Sequence, residues 1–290
     1  MKPKKQVVAA TMKDVALKAN VSTATVSRAL MNPDKVSQAT RNRVEQAALE
    51  VGYLPQSLGR NMKRNESRTI LVIVPDICDP FFSEVIRGIE VTAAEHGYLV
   101  LIGDCAHQNQ KEKTFIDLII TKQIDGMVLL SSRLPFDASV EEQRNLPHYR
   151  LQGFVQALRR SGITVDPHYI ARGNFTFEAG ANALEQLLAQ PVPPTAVFCH
   201  SDVMALGALS LAKRRGLKVP DDLSIVGFDN IALSEFCDPP LTTVSQPRFD
   251  IGREGMLLLL EQMQGHNVNS GSRLLDCELI VRGSTQKIRR

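Results

Sequence analysis

The side chains between Thr11 and Leu30 have types and a spacing that suit the reading of DNA bases. Arg28 can donate two parallel hydrogen bonds to guanine O6 and N7, and nearby hydroxyl groups can reach base edges or phosphates. A recognition helix presents its N-terminal residues to the major groove, and Ser22 is a suitable cap for such a helix. We therefore predict a DNA-reading helix that begins after Ser22, with Arg28 as its best single candidate for a base contact.

Two short helices joined by a tight turn are predicted to position these side chains. Thr11 and Asp14 have the spacing of a capping box at the start of the first helix, and Asn20 tolerates the positive φ that the turn requires. A third helix is predicted after a Ser37 cap, and Gly52 is a suitable stop for it. The alternative is a helical hairpin whose polar residues are only solvated, because short matches of this kind are common.

Basic residues are concentrated at one end of the 290-residue chain. Residues 1–64 contain 12 Lys and Arg against 4 Asp and Glu, whereas residues 65–290 contain 22 against 27. The overall net charge of +3 therefore conceals a basic head and a slightly acidic body, which favours a nucleic-acid partner for the head. Residues 56–63 are polar and interrupted by Gly59, so they are predicted to form a hinge that becomes ordered on DNA.

Apolar runs and helical patterns alternate through the rest of the chain. Branched residues at 68–75 form a run typical of a strand buried on both faces, and a helical pattern follows it. The repeated order predicts parallel α/β layers, and the length allows two lobes of about 100 residues each. The predicted strands are 68–75, 98–103, 126–130, 196–200, 224–228 and 277–281, and the predicted helices are 80–96, 110–123, 149–160, 177–189, 202–215 and 250–264.

Other chemistries have little support in the sequence. The five cysteines lack the paired spacing of a metal site, so no metal is predicted, and no export signal precedes them. His200, Ser201 and Asp202 are consecutive, which prevents them from converging as a catalytic triad. The sequence therefore predicts neither an enzyme nor a cofactor, and no apolar run is long enough to cross a membrane. A cytoplasmic protein with reduced thiols is expected.

Several motifs resemble those of the LacI family of bacterial repressors, and the resemblance extends over nearly the whole chain. It implies an all-α helix-turn-helix head with its hinge at 1–64, followed by an α/β two-lobed body like that of periplasmic binding proteins. The first lobe would cover 65–147 and the second 148–290, with parallel sheets and with late segments that can return to the first lobe. The motifs are the segments 11–30 and 36–55, Asp79-Pro-Phe-Phe-Ser-Glu, Ile124-Asp-Gly, Arg150-Leu-Gln-Gly-Phe, Asp202-Val-Met-Ala-Leu-Gly-Ala, Gly227-Phe-Asp-Asn and Pro239-Pro-Leu-Thr-Thr.

The resemblance also implies a function and partners. It is closest to members that repress genes of nucleoside uptake and catabolism, so it implies a homodimer on double-stranded operator DNA. A nucleoside, cytidine or a related compound, would bind between the lobes and relieve repression, and the cyclic-AMP receptor protein would be a further partner. The alternative is a two-lobed sugar or nucleoside binding protein without regulatory DNA binding, which leaves the basic head unexplained.

The resemblance assigns seven residues to DNA contacts, and Ser27 is an eighth candidate because it lies on an outward face of the predicted helix. Met62 stands where many members of the family have a leucine that wedges into the minor groove, and methionine is also apolar enough to insert. The candidate DNA contacts are Ser22, Thr23, Ala24, Thr25, Ser27, Arg28, Asn32 and Met62.

Five further residues fall at family positions that face the ligand cleft, namely Phe82, Arg150, Phe175, Ser201 and Asp229. Their chemistry suits a nucleoside, because aromatic faces can stack on a base while Asp229 accepts from ribose hydroxyls and Arg150 donates. Two of them have a purely structural alternative. Phe82 at helical spacing is more often a core residue, and Asp229 beside a glycine can simply cap a turn.

The chain departs from the family pattern between Pro147 and His148. There the family has a further segment, about one strand-helix-strand crossover long or more. Its absence predicts an incomplete second lobe, because the edge strand of the first lobe and the opening helix and strand of the second would be missing. A parallel sheet that loses an inner strand exposes apolar faces and backbone polar groups, so we predict weakened lobes behind an intact head.

Overall fold

A computed structural model of the chain describes residues 10–53, 66–106, 115, 117–130, 148–265 and 273–287. The chain divides into two compact units, Met1–Arg68 and Thr69–Arg290, which we call the head and the body. The predicted hinge at 56–63 with Met62, the start of the predicted helix at 110–123, and residues 131–147 lie outside the described residues.

Three helices form the head: α1 (Met12–Ala19), α2 (Thr23–Met31) and α3 (Gln38–Val51). Asn20 ends α1 with a φ of 51°, in the left-handed region that was predicted for it, and Gly52 ends α3 as predicted, with a φ of 69°. The three helices close on a small core of aliphatic side chains, so the head has a hydrophobic centre of its own. Its buried members are Val15, Ala16, Ala19, Val26, Ala29, Val44, Ala47 and Ala48.

The first sheet of the body contains three parallel strands in the order β2-β1-β3. The central strand is buried on both faces, as its run of branched residues predicted, because Ile70 to Val74 are at most 2% exposed. The elements are β1 (Thr69–Val74), α4 (Phe81–Glu95), β2 (Leu99–Asp104) and β3 (Gly126–Leu129).

The second sheet has the order β4-β5-β6-β7 and is mixed rather than purely parallel, because β7 pairs antiparallel with β6. The expectation of parallel strands is therefore wrong for β7. A parallel pair needs a crossover that returns the chain to the same end of the sheet, whereas the chain reaches β7 from a helix on the other sheet. The strands are β4 (Ala196–Phe198), β5 (Ser224–Asp229), β6 (Thr242–Ser245) and β7 (Glu278–Ile280).

Five α-helices follow β3 in the described part of the body. The last of them packs against α4 and β3, so the chain returns to the first sheet before it ends in β7. Strands β3 and β4, which flank the predicted deletion in sequence, each stand at the outer edge of a sheet among the described residues. The helices are α5 (His148–Arg160), α6 (Phe177–Leu188), α7 (Asp202–Arg214), α8 (Leu233–Phe236) and α9 (Arg248–Met263).

Reciprocal glycines allow two pairs of helices to cross at close range. A Cβ atom added at Gly252 of α9 would lie 2.0 Å from the carbonyl oxygen of Val85 in α4, and one added at Gly88 would lie 2.1 Å from that of Phe249. Helices α6 and α7 repeat the arrangement, with Gly180 against Met204 and Gly207 against Phe177. These close crossings bring the backbones of the two paired helices into direct contact.

Candidate DNA-binding and effector sites

The start of α2 is held by the cap that the sequence predicted. Ser22 Oγ accepts a hydrogen bond from the backbone N–H of Thr25 at 3.1 Å, and its hydroxyl also lies 2.9 Å from Thr25 Oγ1. Thr11 N and Thr11 Oγ1 both donate to the Asp14 carboxylate at 2.7 Å, which holds the start of α1 in the same way. The turn and both helix starts are therefore set by contacts between near neighbours in sequence.

The predicted base-contacting residues occupy the accessible face of α2. Thr23, Ala24 and Arg28 are exposed, while Thr25 and Ser27 are half-buried between this face and the core. Arg28 Nε donates to the carbonyl oxygen of Ala24 at 3.3 Å, so the side chain lies back along the first turn of the helix. This geometry places a guanidinium beside the N-terminal residues that a recognition helix presents to the major groove.

Asn32 lies at the other end of the helix. Its backbone N–H donates to the carbonyl oxygen of Arg28 at 2.8 Å, which makes it the C-cap of α2, and the residue is half-buried. Met62 lies outside the described residues, so its predicted contact in the minor groove stays a prediction.

In the body, Arg150 and Asp229 form an ion pair. The Arg150 Nη1 atom lies 3.5 Å from Asp229 Oδ1 and also donates a hydrogen bond to the carbonyl oxygen of His200. The guanidinium carbon lies 4.0 Å from the ring centre of Phe228, which is cation–π geometry. Arg150 enters from α5, His200 follows β4 and Asp229 ends β5, so the site lies beyond the carboxyl ends of parallel strands, where α/β proteins bind ligands.

The Asp229 carboxylate is almost completely buried, with 4% of the residue exposed. Burial raises the pKa of Asp229 to about 7, against the opposing effect of the Arg150 charge, and the carboxylates of Asp202 and Asp79 raise it further. Gln246 Nε2 donates a hydrogen bond to Asp229 Oδ1 at 2.7 Å. The Asp229 carboxyl group is therefore partly protonated at neutral pH. Its Oδ1 atom faces both the Arg150 guanidinium and the Gln246 side-chain amide.

A group of aromatic rings extends this site along the second sheet. The rings of Phe154 and Phe198 stack with centres 5.1 Å apart, and the ring of Phe198 meets that of Phe228 edge-on at 6.3 Å. His200 lies 5.5 Å from Phe198, and burial together with the Arg150 charge lowers the pKa of His200. The polar pair therefore borders a largely apolar surface, which is the combination expected of a site for a small ligand.

The other three predicted ligand residues, Phe82, Phe175 and Ser201, lie in three different environments. Phe82 is half-buried and packs on the core of the first sheet, where its ring meets Phe81 edge-on at 5.1 Å, as the structural alternative required. Phe175 is 46% exposed and has a φ of 66°, so its ring is accessible. Ser201 is completely buried, and its Oγ accepts from the backbone N–H of Met204 at 3.2 Å. The cleft-facing role predicted for Ser201 is corrected to that of the α7 cap, because its hydroxyl satisfies a helix end.

Sequence reasoning missed Gln246 and Phe228 as members of the site. A signal was present for both, since Gln246 follows a strand at the edge where Asp229 lies, and Phe228 belongs to the Gly227-Phe-Asp-Asn motif. Within the described residues, no group of three or more His, Cys, Asp and Glu side chains is placed to hold a metal ion. No helix of the described part has the length and apolarity needed to cross a membrane.

Comparison with known protein families finds matches in both units of the chain. Residues 11–56 match the family of lacI bacterial regulatory proteins, residues 67–147 match the periplasmic binding proteins and sugar binding domain of the LacI family, and residues 129–285 match a periplasmic binding protein-like domain. The match to the DNA-binding family contradicts the alternative of a binding protein without regulatory DNA binding.

Individual relatives cover almost the entire chain. The HTH-type transcriptional repressor CytR of Escherichia coli K12 is 71% identical over 340 residues, covering 99% of this chain and 100% of the relative. The ribose operon repressor of Haemophilus influenzae is 30% identical over 331 residues, covering 97% and 100%. The lac repressor dimer bound to operator and the anti-inducer ONPF is similar in structure, with a TM-score of 0.80, 25% identity, and coverage of 97% of this chain and 100% of that one.

The alignment of 340 residues is longer than the 290-residue chain, so the Escherichia coli repressor carries residues that have no counterpart here. Their location between Pro147 and His148 stays a prediction. The identity and the coverage, together with the head that matches the regulatory family, establish a transcriptional repressor rather than an enzyme. The chain belongs to the LacI family of bacterial transcriptional repressors.

Proposed function

We propose that this repressor responds to a nucleoside, cytidine or a close relative, which binds at Arg150 and Asp229 and relieves repression. The observation that carries the proposal is the ion pair of these residues on an aromatic surface, in a chain that is 71% identical to a repressor named CytR. The Asp229 carboxylate would accept hydrogen bonds from ribose hydroxyls, while Arg150 would donate to the ligand. Phe175, whose ring is accessible, would stack on the base.

The DNA-binding half of the proposal assigns roles to the residues of α2. Arg28 would read a guanine, the side chains of Thr23 and Ala24 would contact neighbouring base edges, and Ser27 would lie beside them. Ser22, Thr25 and Asn32 would meet phosphates, and Met62 would enter the minor groove. Two heads of a homodimer would read the two halves of a near-palindromic operator.

The genes under control would be those of nucleoside uptake and catabolism, and the cyclic-AMP receptor protein would assist binding to their operators. The relative named CytR and the family resemblance support this part of the proposal. Assays with cytidine alone and with the receptor protein alone separate this partner from the effector.

The test begins with selection of a preferred site from a random DNA pool by the intact chain. Fluorescence anisotropy of the selected duplex is then measured at two salt concentrations, with and without cytidine, and with and without the cyclic-AMP receptor protein. A random duplex is the control for nonspecific binding. We expect tighter binding to the selected site and a cytidine-dependent loss of either that affinity or its coupling to the receptor protein.

The Asp229→Ala variant identifies the site of the response. We expect it to bind the selected duplex as the parent does but to lose the response to cytidine, because the acceptor for the ribose hydroxyls is gone. A parent that binds the duplex without any response, and that releases no heat when titrated with cytidine, would exclude the effector part of the proposal. An Asp229→Ala variant that still responds would remove Asp229 from the site.

A further inference from the structure

A second carboxylate, that of Asp202, is completely buried behind the Arg150–Asp229 pair at the start of α7. Its Oδ2 atom accepts hydrogen bonds from the backbone N–H of Ile231 at 2.9 Å and from Ser234 Oγ at 2.5 Å. Its Oδ1 atom accepts from Thr243 Oγ1 at 2.6 Å. One side chain thus joins α7 to the turn that follows Asp229, to α8 and to β6.

The turn that these bonds hold has an unfavourable backbone. Asp229 and Asn230 are consecutive non-glycine residues with φ values of 115° and 53°, a conformation that persists only when the surroundings enforce it. Thr243 Oγ1, which donates to Asp202, also accepts from the backbone N–H of Asn230 at 3.3 Å. Asn230 Nδ2 donates to Ser245 Oγ at 3.1 Å, which fixes the same turn from β6.

The absence of a side chain at Gly227 leaves the room that the Asp202 carboxylate occupies. A Cβ atom added at Gly227 of β5 would lie 2.1 Å from Asp202 Oδ1, so only glycine at this point lets the carboxylate reach Thr243. A buried carboxylate is unfavourable unless hydrogen bonds compensate it, and here three donors offset part of the cost, while burial still raises the pKa of Asp202. The Gly227-Phe-Asp-Asn motif thus combines the room for Asp202 with the aromatic and acidic residues that contact Arg150.

We propose that Asp202 is a positioning residue of the effector site, whose carboxylate holds the turn at Asp229 and Asn230 in the conformation that presents Asp229 to Arg150. The inference rests on the proposed function, since it assigns to Asp229 the role of ligand contact. Through Ser234 the same carboxylate holds α8, so the turn and α8 form one rigid segment, residues 229–236.

The test compares three variants with the parent chain. Asp202→Ala removes both acceptor oxygens and so all three hydrogen bonds, whereas Asp202→Asn keeps one oxygen that can still accept from Ile231 and Ser234. Ser284→Ala is the matched control, because Ser284 is also completely buried, in a turn beside the second sheet. Its hydroxyl donates to the carbonyl oxygen of Ile225 and accepts from the backbone N–H of Thr242, but it makes no hydrogen bond to Asp202. The readouts are the melting temperature, the cytidine dissociation constant by calorimetry, and hydrogen exchange of residues 229–236 against residues 69–74.

We expect Asp202→Ala to raise the cytidine dissociation constant by about tenfold or more, which corresponds to about 1.4 kcal/mol, and to speed exchange in residues 229–236 only. Asp202→Asn should recover part of both effects. Ser284→Ala should lower the melting temperature and leave the dissociation constant unchanged, because it weakens the sheet without freeing the turn. If Asp202→Ala does not fold, Thr243→Val, which has nearly the same shape and removes one partner, replaces it in the comparison.

Two results would overturn the inference. One is parental exchange in residues 229–236 when Asp202 or Thr243 is changed, and the other is a loss of cytidine affinity in Ser284→Ala as large as that in Asp202→Ala. If the parent itself binds no cytidine, the proposed function fails, and hydrogen exchange alone then decides whether Asp202 holds the turn.

Discussion

Replacement of Asp229 by asparagine should change how the stability of the body depends on pH. In the folded chain Asp229 keeps its proton up to about pH 7, whereas in the unfolded chain it loses the proton near the ordinary pKa of 3.8. Between these values the unfolded state binds fewer protons than the folded state, so the free energy of unfolding falls as pH rises from about 4 to about 7. Asp229→Asn removes this loss, because the amide has no proton to release.

The magnitude follows from the size of the pKa change. Each pKa unit corresponds to about 1.4 kcal/mol, so the parent should lose about 2 to 3 kcal/mol more than the variant between pH 5 and pH 8. At pH 5 Asp229 is protonated and meets Arg150 as a neutral group, much as the amide does. The attraction that Arg150 exerts on the carboxylate at pH 8 is already contained in the pKa of about 7, so it needs no separate correction.

Urea unfolding of both proteins at pH 5 and pH 8, followed by circular dichroism, measures the difference directly. Glu90→Gln, which removes an exposed acid from the middle of α4, is the control for loss of a negative charge. We expect the stability of Asp229→Asn relative to the parent to increase between pH 5 and pH 8, and that of Glu90→Gln to stay constant. An equal change with pH in all three proteins would show that burial does not raise the pKa of Asp229, and the description of the site would be wrong.

Three further predictions concern the head and the helix crossings. Arg28→Ala should weaken binding to the selected operator by about 1 to 3 kcal/mol and relax the preference at one base pair, measured by anisotropy on single-substituted duplexes, whereas equal losses on random DNA would make Arg28 a phosphate contact. Gly252→Ala should destabilise the body by about 1 to 3 kcal/mol, because its Cβ would lie 2.0 Å from the Val85 carbonyl oxygen. Gly255→Ala in the same helix, where a Cβ meets nothing within 4 Å, should be neutral or stabilising in the same melting experiment, and equal losses in both variants would refute the close crossing. Ser22→Ala should lower the unfolding free energy of the head by about 1 kcal/mol through loss of the bond to Thr25, and an unchanged thermal transition would contradict that role.

The head shows how much of a fold local sequence can specify. The cap at Ser22, the left-handed turn at Asn20 and the helix end at Gly52 were predicted from residue type and spacing, and each depends on contacts within one helical turn. The central strand β1 was equally evident, since an uninterrupted branched run has few alternatives to burial on both faces. The antiparallel pairing of β7 was missed, because strand direction depends on the path of the chain between elements rather than on the strand's own residues.

For the body, sequence patterns alone determined the alternation of strands and helices, because periodicity reflects which face of each element is buried. The resemblance to the LacI family pointed to Arg150 and Asp229, but the contact between these residues, and the contact of Gln246 with Asp229, join segments far apart in the chain. Only the tertiary structure decided that Ser201 caps a helix, that Phe82 packs half-buried on the core of the first sheet, and that the Asp202 carboxylate binds partners 29 to 41 residues away. Local preferences act over one or two turns of chain, whereas burial of a carboxylate and its donors depends on which distant segments the packed sheet brings together.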